Sequence, residues 1–300
     1  MVYSHLRHNR IATAILLIAF VSFIVGVSMV FSQVQTGDPY LFALPTLFFA
    51  LFYILISFAF SKNAILMMSK AKKVEEKHAP ELFHTLENLA IARGLPMPAL
   101  YIIEDSAPNA FATGTTKKGA AVVVTTGLLD KLEKAEIEGV LAHELAHIQH
   151  EDTRLMTLVV ILVGVVTLMA EFFLRSMYWS SRSQRTIKGK GNVILIVVGI
   201  LLALLSPLIA QLLKLAISRK REFYADAEAA LTTRYPEGLA SALEKIAKDP
   251  EKLEVANHAT AHLFICNPFK GKEEKKFWNK MFSTHPDPKE RVERLRRMMT

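Results

Sequence analysis

The chain has 300 residues, 51% of them hydrophobic and 21% charged, with a mean hydropathy of +0.27. That balance is too apolar for a wholly water-soluble enzyme and too charged for a bare bundle of membrane helices, so a soluble part joined to several spans is expected. The net charge of +8 fits contact with anionic lipid head groups rather than nucleic acid, because the basic residues gather at helix ends and not in an aromatic-studded patch.

A single cysteine, Cys266, excludes an internal disulfide and a cysteine-ligated zinc site. It also suits a catalytic part that faces a reducing compartment.

Four apolar runs, 11–31, 41–60, 155–174 and 193–213, are each close to the ~20 residues that cross a bilayer core. The first follows Arg7 and Arg10 and so invites comparison with a signal peptide. It is too long for a signal core, lacks a small-x-small cleavage site and is followed within ten residues by a second span, so it reads as a retained helix. The turn 32–40 contains no Lys or Arg, whereas Lys62, Lys70, Lys72, Lys73 and Lys77 follow the second run. The positive-inside rule then puts the N-terminus and the chain after residue 61 in the cytoplasm.

Residues 62–154 read as soluble. Leu82, Leu86, Leu89 and Ala90 repeat at helical spacing within 79–93, and Gly94 ends that helix. A short strand is expected at 100–103. Segment 110–126 reads as a hairpin whose second arm is rich in valine, with the turn at Lys117-Lys118-Gly119. A helix from Glu133 carries the main motif, and further helices are expected at 217–231, 236–248 and 288–299. Residues 249–279 give no clear period. The whole reads as a mainly α membrane protein with a small β-hairpin or sheet. Its parts are a helix pair (1–61), a first catalytic part (62–154), a second helix pair (155–216) and a second catalytic part (217–300).

His143-Glu144-Leu145-Ala146-His147 is an H-E-x-x-H pattern. Residues four apart share a helix face, so both imidazoles can reach one zinc ion while Glu144 polarises a water as general base. Two surface histidines on an amphipathic helix are the plain alternative. A catalytic zinc needs a third protein ligand. The metzincin form is excluded because positions 150 and 153 are His and Thr. Glu151 and Asp152 are expected to turn outward as a solvated helix face. Glu222 in Arg221-Glu222-Phe223-Tyr224-Ala225-Asp226 is the better candidate, with Asp226 one turn later as acceptor for a ligand histidine ring. An ion pair with Arg219 or Arg221 is its alternative role.

Two apolar runs separate His147 from Glu222, so both return to one side of the membrane. Leu155 lies eight residues after His147, and Glu222 nine after Leu213, which puts each ligand about 12–14 Å beyond its span. The motif helix is expected to run continuously into the third span.

The whole pattern resembles the HtpX family of heat-shock membrane proteases, distant relatives of the CAAX prenyl endopeptidases. The likeness rests on the two early spans, Asn109-Ala110-Phe111-Ala112-Thr113-Gly114, His143 to His147, the two later runs, Glu222 to Asp226, and Thr284-His285-Pro286. It implies a glutamate-zincin fold, one Zn2+ per chain held by His143, His147 and Glu222, and a catalytic face and both termini in the cytoplasm of a prokaryote, at its plasma (inner) membrane. It further implies a stress-linked role in membrane-protein quality control, with membrane or unfolded polypeptides as substrates and self-cleavage among the expected reactions. Residues Asn109 to Gly114 would pair as an edge strand with an extended substrate, and His285 would stabilise the oxyanion. His78, His84, His258 and His262 read as structural.

The basic loop 175–192 runs against the positive-inside trend if runs three and four both span. Full spanning is the favoured reading, and a re-entrant hairpin the alternative. Two other function classes compete with this reading. An inactive scaffold would lack Glu144 or Glu222, and a transporter would need polar or broken spans, for which only Glu171 and Pro207 offer candidates.

Overall fold

The computed structural model describes residues 2–162, 219–256, 260–269 and 286–299. Two long helices open the chain, α1 (Val2–Thr36) and α2 (Tyr40–Met68). The windows Thr13–Val30 and Tyr40–Met68 have mean hydropathies of 2.6 and 2.3, and only 17% of each window is buried. Leu44, Phe48, Phe49, Leu55 and Phe60 are all exposed on α2, which is what a helix solvated by lipid requires. The two helices pack together, and a hydroxyl pair, Ser28 Oγ to Thr46 Oγ1 at 2.8 Å, joins them.

α2 runs eight residues past the apolar run, and its last turn leaves the lipid-like surface for a protein core. Ile65 and Leu66 pack with Ile103, Phe111, Val123, Met156, Val160 and Phe264. Residues 155–162, the described part of the third apolar run, are helical and mostly buried in the protein. The rest of that run, the fourth run and the loop 175–192 lie outside the described residues.

The sheet has four strands in the order β1-β2-β4-β3: β1 (Lys72–Lys73), β2 (Ala99–Ile103), β3 (Ala110–Thr113) and β4 (Ala121–Thr125). The expected hairpin is present as β3 antiparallel to β4, with Ala110 opposite Val124. β4 also pairs in parallel with β2. Its valine run is explained by this central place: Val122 and Val124 face one core and Val123 the other.

The helices α3 (Pro80–Ala92), α4 (Thr126–Lys131), α5 (Lys134–Gln149), α6 (Arg219–Thr233), α7 (Pro236–Lys248) and α8 (Pro288–Arg297) enclose the larger core. α5 is its axis, and every side chain from Val140 to Ile148 is buried. It starts with a capping box between Glu133 and Glu136, which satisfies orphan N–H groups at both positions. Glycines let α5 and α7 cross at backbone contact. A Cβ on Gly139 would lie 2.7 Å from the Leu239 nitrogen, and one on Gly238 2.6 Å from the Ala135 carbonyl oxygen. This crossing fixes the height of the histidine-bearing helix.

α5 does not continue into the third apolar run. It ends at His150, and Glu151 adopts a left-handed φ of +58° before the chain turns helical again at 152–162. The expected continuous helix is therefore broken just beyond the motif.

Candidate active site

His143 and His147 sit one turn apart on the buried face of α5, with their Nε2 atoms 3.1 Å apart. Glu222 reaches them from α6, 3.7 Å from His143 Nε2 and 3.5 Å from His147 Nε2. The three groups can each offer one atom within 4.8 Å of the others. They are 1%, 5% and 1% exposed, so none is a surface histidine or a solvated ion pair.

Each ring is held from behind. His143 Nδ1 is 3.0 Å from Asp226 Oδ1, and His147 Nδ1 is 3.0 Å from Asp152 Oδ2. With both Nδ1–H groups donating to carboxylates, the lone pairs of the two Nε2 atoms face each other, and only a proton or a cation can reconcile them. Asp152 is 2% exposed, so the expectation of an outward, solvated Asp152 is wrong. The break at Glu151 swings the chain back and carries Asp152 beneath His147. Spacing gave no hint of this, because the sequence read as one uninterrupted helix.

Arg291 is the other partner that sequence reasoning missed. It is fully buried, and its fork grips Asp226 through Nε (2.9 Å) and Nη2 (2.7 Å). Its Nη1 donates to the Ile265 carbonyl at 2.8 Å and lies 3.8 Å from Glu222 Oε2. A signal existed: on amphipathic α8, Arg291 shares the buried face with Val292 and Leu295. An arginine on an apolar face demands a buried anion. Arg221 lies 3.4 Å from Asp152. Farther out, buried Arg93 pairs with Glu228 and donates to Gln149 and Thr232, tying α3 and the end of α5 to α6.

The charges support a divalent cation. Four buried carboxylates, Glu144, Asp152, Glu222 and Asp226, face two guanidiniums, Arg221 and Arg291. The excess is two negative charges when all are ionised. Burial lowers the His143 ring, which the Asp226 contact only partly offsets, to about 4. For His147 burial works in the same direction, but Glu222 and Asp152 outweigh it and push the ring up to about 9. Burial would raise Asp226, yet Arg291 and His143 hold its carboxyl below the ordinary value.

Glu144 stands beside the ligands, 2% exposed, with the Ala112 backbone near its carboxylate. Burial chiefly, with the nearby Glu222 charge, pushes it up to about 7 against the opposing pull of His147. A carboxylate poised there can both take and return a proton near neutrality. β3, which holds Ala112, is the sheet edge, so the segment Asn109 to Gly114 runs past Glu144. Asn109 itself is 2% exposed, and its amide brackets the backbone of Cys266. His262 is buried, with Nε2 3.4 Å from the Met156 carbonyl oxygen, as befits a structural histidine. His84 is exposed beside Glu76 and Glu87. His285 and His258 lie outside the described residues.

The profile of peptidase family M48 matches residues 76–299. A "Protease HtpX homolog" of Tropheryma whipplei (strain Twist) is 40% identical over 299 residues, covering 99% of each chain. One of Dictyoglomus thermophilum is 41% identical over 299 residues, covering 99% of this chain and 94% of the relative. Among solved structures, Ste24p of S. mikatae aligns at a TM-score of 0.49 and 20% identity, over 94% of this chain and 62% of that one. With a family profile across three quarters of its length and HtpX proteases alike from end to end, the chain belongs to peptidase family M48 as a membrane-associated metalloprotease of the HtpX type.

Proposed function

We propose that the chain is an integral-membrane, zinc-dependent endopeptidase that cuts membrane or misfolded proteins at the cytoplasmic face of a prokaryotic plasma membrane. The observation that carries this reading is the convergence of His143 Nε2, His147 Nε2 and the Glu222 carboxylate beside a Glu144 tuned to about 7. Two imidazoles and one carboxylate are a ligand set for catalytic zinc, which keeps a further position for water or substrate. A zinc ion held there would polarise a water molecule and the scissile carbonyl.

The chain's own groups then divide the work. Glu144 accepts the proton of the attacking water and passes it to the leaving amine. Asp226 and Asp152 fix the two imidazoles with Nε2 turned inward. Arg291 holds Asp226 in place. The outer edge of β3 pairs with the extended backbone of the substrate and lays the scissile bond beside Glu144. His285 retains its proposed role of stabilising the oxyanion. The cytoplasmic assignment is supported by the lysines that follow α2 and their absence from the 32–40 turn. Quality control and self-cleavage rest on the family likeness, and the net positive charge is assigned to the lipid surface rather than nucleic acid.

The test is metal analysis and peptide cleavage on detergent-purified protein. Chelation should abolish cutting, and zinc should restore it. His143→Ala, His147→Ala and Glu222→Ala should each lose stoichiometric zinc. A Glu222→Ala variant that binds zinc as tightly as the parent would show that the third ligand is another residue.

A further inference from the structure

The edge assigned to the substrate is not open along its whole length. In β3 the amide groups of Asn109, Phe111 and Thr113 point to β4, as the bond from Thr125 N–H to the Asn109 carbonyl and the β3–β4 register require. Those of Ala110, Ala112 and Gly114 therefore point outward. The Ala112 backbone lies beside Glu144, so on this reading the bond to be cut lies opposite Ala112. Two residues along, the Ala110 carbonyl is already taken: it accepts from the Ile265 N–H at 2.9 Å.

Ile265 is held from its other side as well. Its carbonyl accepts from Arg291 Nη1 at 2.8 Å. Its neighbour Cys266 is bracketed by Asn109, whose Nδ2 donates to the Cys266 carbonyl at 3.2 Å and whose Oδ1 accepts from the Cys266 N–H at 3.5 Å. Phe264 packs edge-on against Phe111, with ring centroids 5.0 Å apart. Phe264, Ile265 and Cys266 are 0%, 1% and 4% exposed. Residues 264–266 thus lie along the edge as a bent segment, tied to β3 by one backbone hydrogen bond.

We propose that residues 264–266 are a fixed stop on the substrate-pairing edge, with Ile265 the specificity-determining residue that ends pairing at Ala112. The proposal rests on the reading of β3 as the substrate edge. A substrate that displaced the stop would gain one backbone hydrogen bond at Ala110. It would have to expose Phe264 and Ile265 and strip a partner from a buried guanidinium beside the metal ligands, which costs more than one such bond returns. The enzyme therefore needs an extended backbone beside the scissile bond but none two residues farther on the Ala110 side, where a bent or proline-containing chain is tolerated.

The experiment uses the full-length protein in detergent with a short quenched-fluorescence peptide whose single cut site is mapped by mass spectrometry. Copies of the peptide each carry one N-methylated backbone amide. In the parent, methylating the amide that pairs with the Ala112 carbonyl should lower kcat/KM roughly fivefold to tenfold, the loss of one hydrogen bond. Methylation two residues away on the Ala110 side should change nothing. In Ile265→Pro, which has no N–H to give, that second position should become sensitive too. Phe264, at φ −71° and ψ 142°, already has the conformation a following proline imposes. Ile265→Val, which keeps the N–H and most of the buried side chain, should show the parent's pattern of sensitivity whatever its overall rate. Equal sensitivity at both positions in the parent would mean that the substrate pushes the segment aside, and would overturn the stop. A parent insensitive at every position would instead overturn the edge reading itself. The parent scan decides between these even if Ile265→Pro fails to fold.

Discussion

Arg291→Met is the sharpest structural perturbation outside the ligand set. It deletes two charge-assisted bonds to Asp226 and one to the Ile265 carbonyl, and it leaves the Asp226 carboxylate buried with His143 as its remaining partner among those described above. Breaking a buried pair from one side costs about 3–5 kcal/mol, because the surviving charge is uncompensated. Misplacing the carboxylate behind a ligand histidine weakens metal binding by about 10–100-fold. Denaturant unfolding in detergent reads the first effect, and zinc titration against a competing chelator reads the second. Adding Asp226→Asn to Arg291→Met removes the stranded charge, so the double variant should be more stable than the sum of the single losses by about 1–3 kcal/mol. If Arg291→Met costs less than about 1 kcal/mol and keeps parental zinc affinity, Arg291 is not what holds the site.

Four further outcomes are open to measurement. With His147 at about 9 and His143 at about 4, metal uptake at neutral pH must displace the His147 proton, so apparent affinity should fall about tenfold per pH unit from pH 9 down to pH 4; a flat profile in metal titrations across that range contradicts the assignment. The same raised pKa means that protonated His147 stabilises the metal-free fold fully below its ordinary 6.5 and loses that contribution as pH rises through about 9, which apo-protein melts at several pH values will register. Gly139→Ala puts a methyl group 2.7 Å from the Leu239 nitrogen, and should cost about 1–3 kcal/mol as α7 is forced off α5; an unchanged Tm counts against this packing. A cysteine placed at Gly37 should react with an impermeant reagent from outside the cell and one at Lys73 should not, with buried Cys266 giving little background; the opposite pattern reverses the proposed orientation.

The parts of the fold that local chemistry dictates were legible in the sequence. The apolar runs gave α1 and α2, the valine-rich arm gave β4, and helical spacing gave α3, α6 and α7 to within a few residues. The i, i+4 geometry of His143 and His147 needs only a helix, and the acidic spacing on α6 needs only another, so these positions could be named without tertiary information. What was not legible depends on where chains turn or on contacts distant in sequence. The left-handed Glu151 is a single backbone choice with no glycine to announce it, yet it decides that Asp152 lies under His147. Arg291 is 65 residues from Asp226, and its role shows only when α8 closes over the site. The parallel pairing of β2 with β4 and the two-residue β1 are likewise long-range products that no local period encodes.

The proposed mechanism requires Glu144 to do the proton work beside a metal it does not hold. It is tested most directly by measuring zinc content and peptide cleavage on the same purified samples of the parent and Glu144→Gln. The substitution keeps size and hydrogen bonding but removes the base, so both proteins should carry one zinc per chain while cleavage falls by about 10²–10⁴-fold. Near-parental turnover by Glu144→Gln with full zinc would contradict the mechanism, and loss of zinc with the glutamine would make Glu144 a ligand rather than the base.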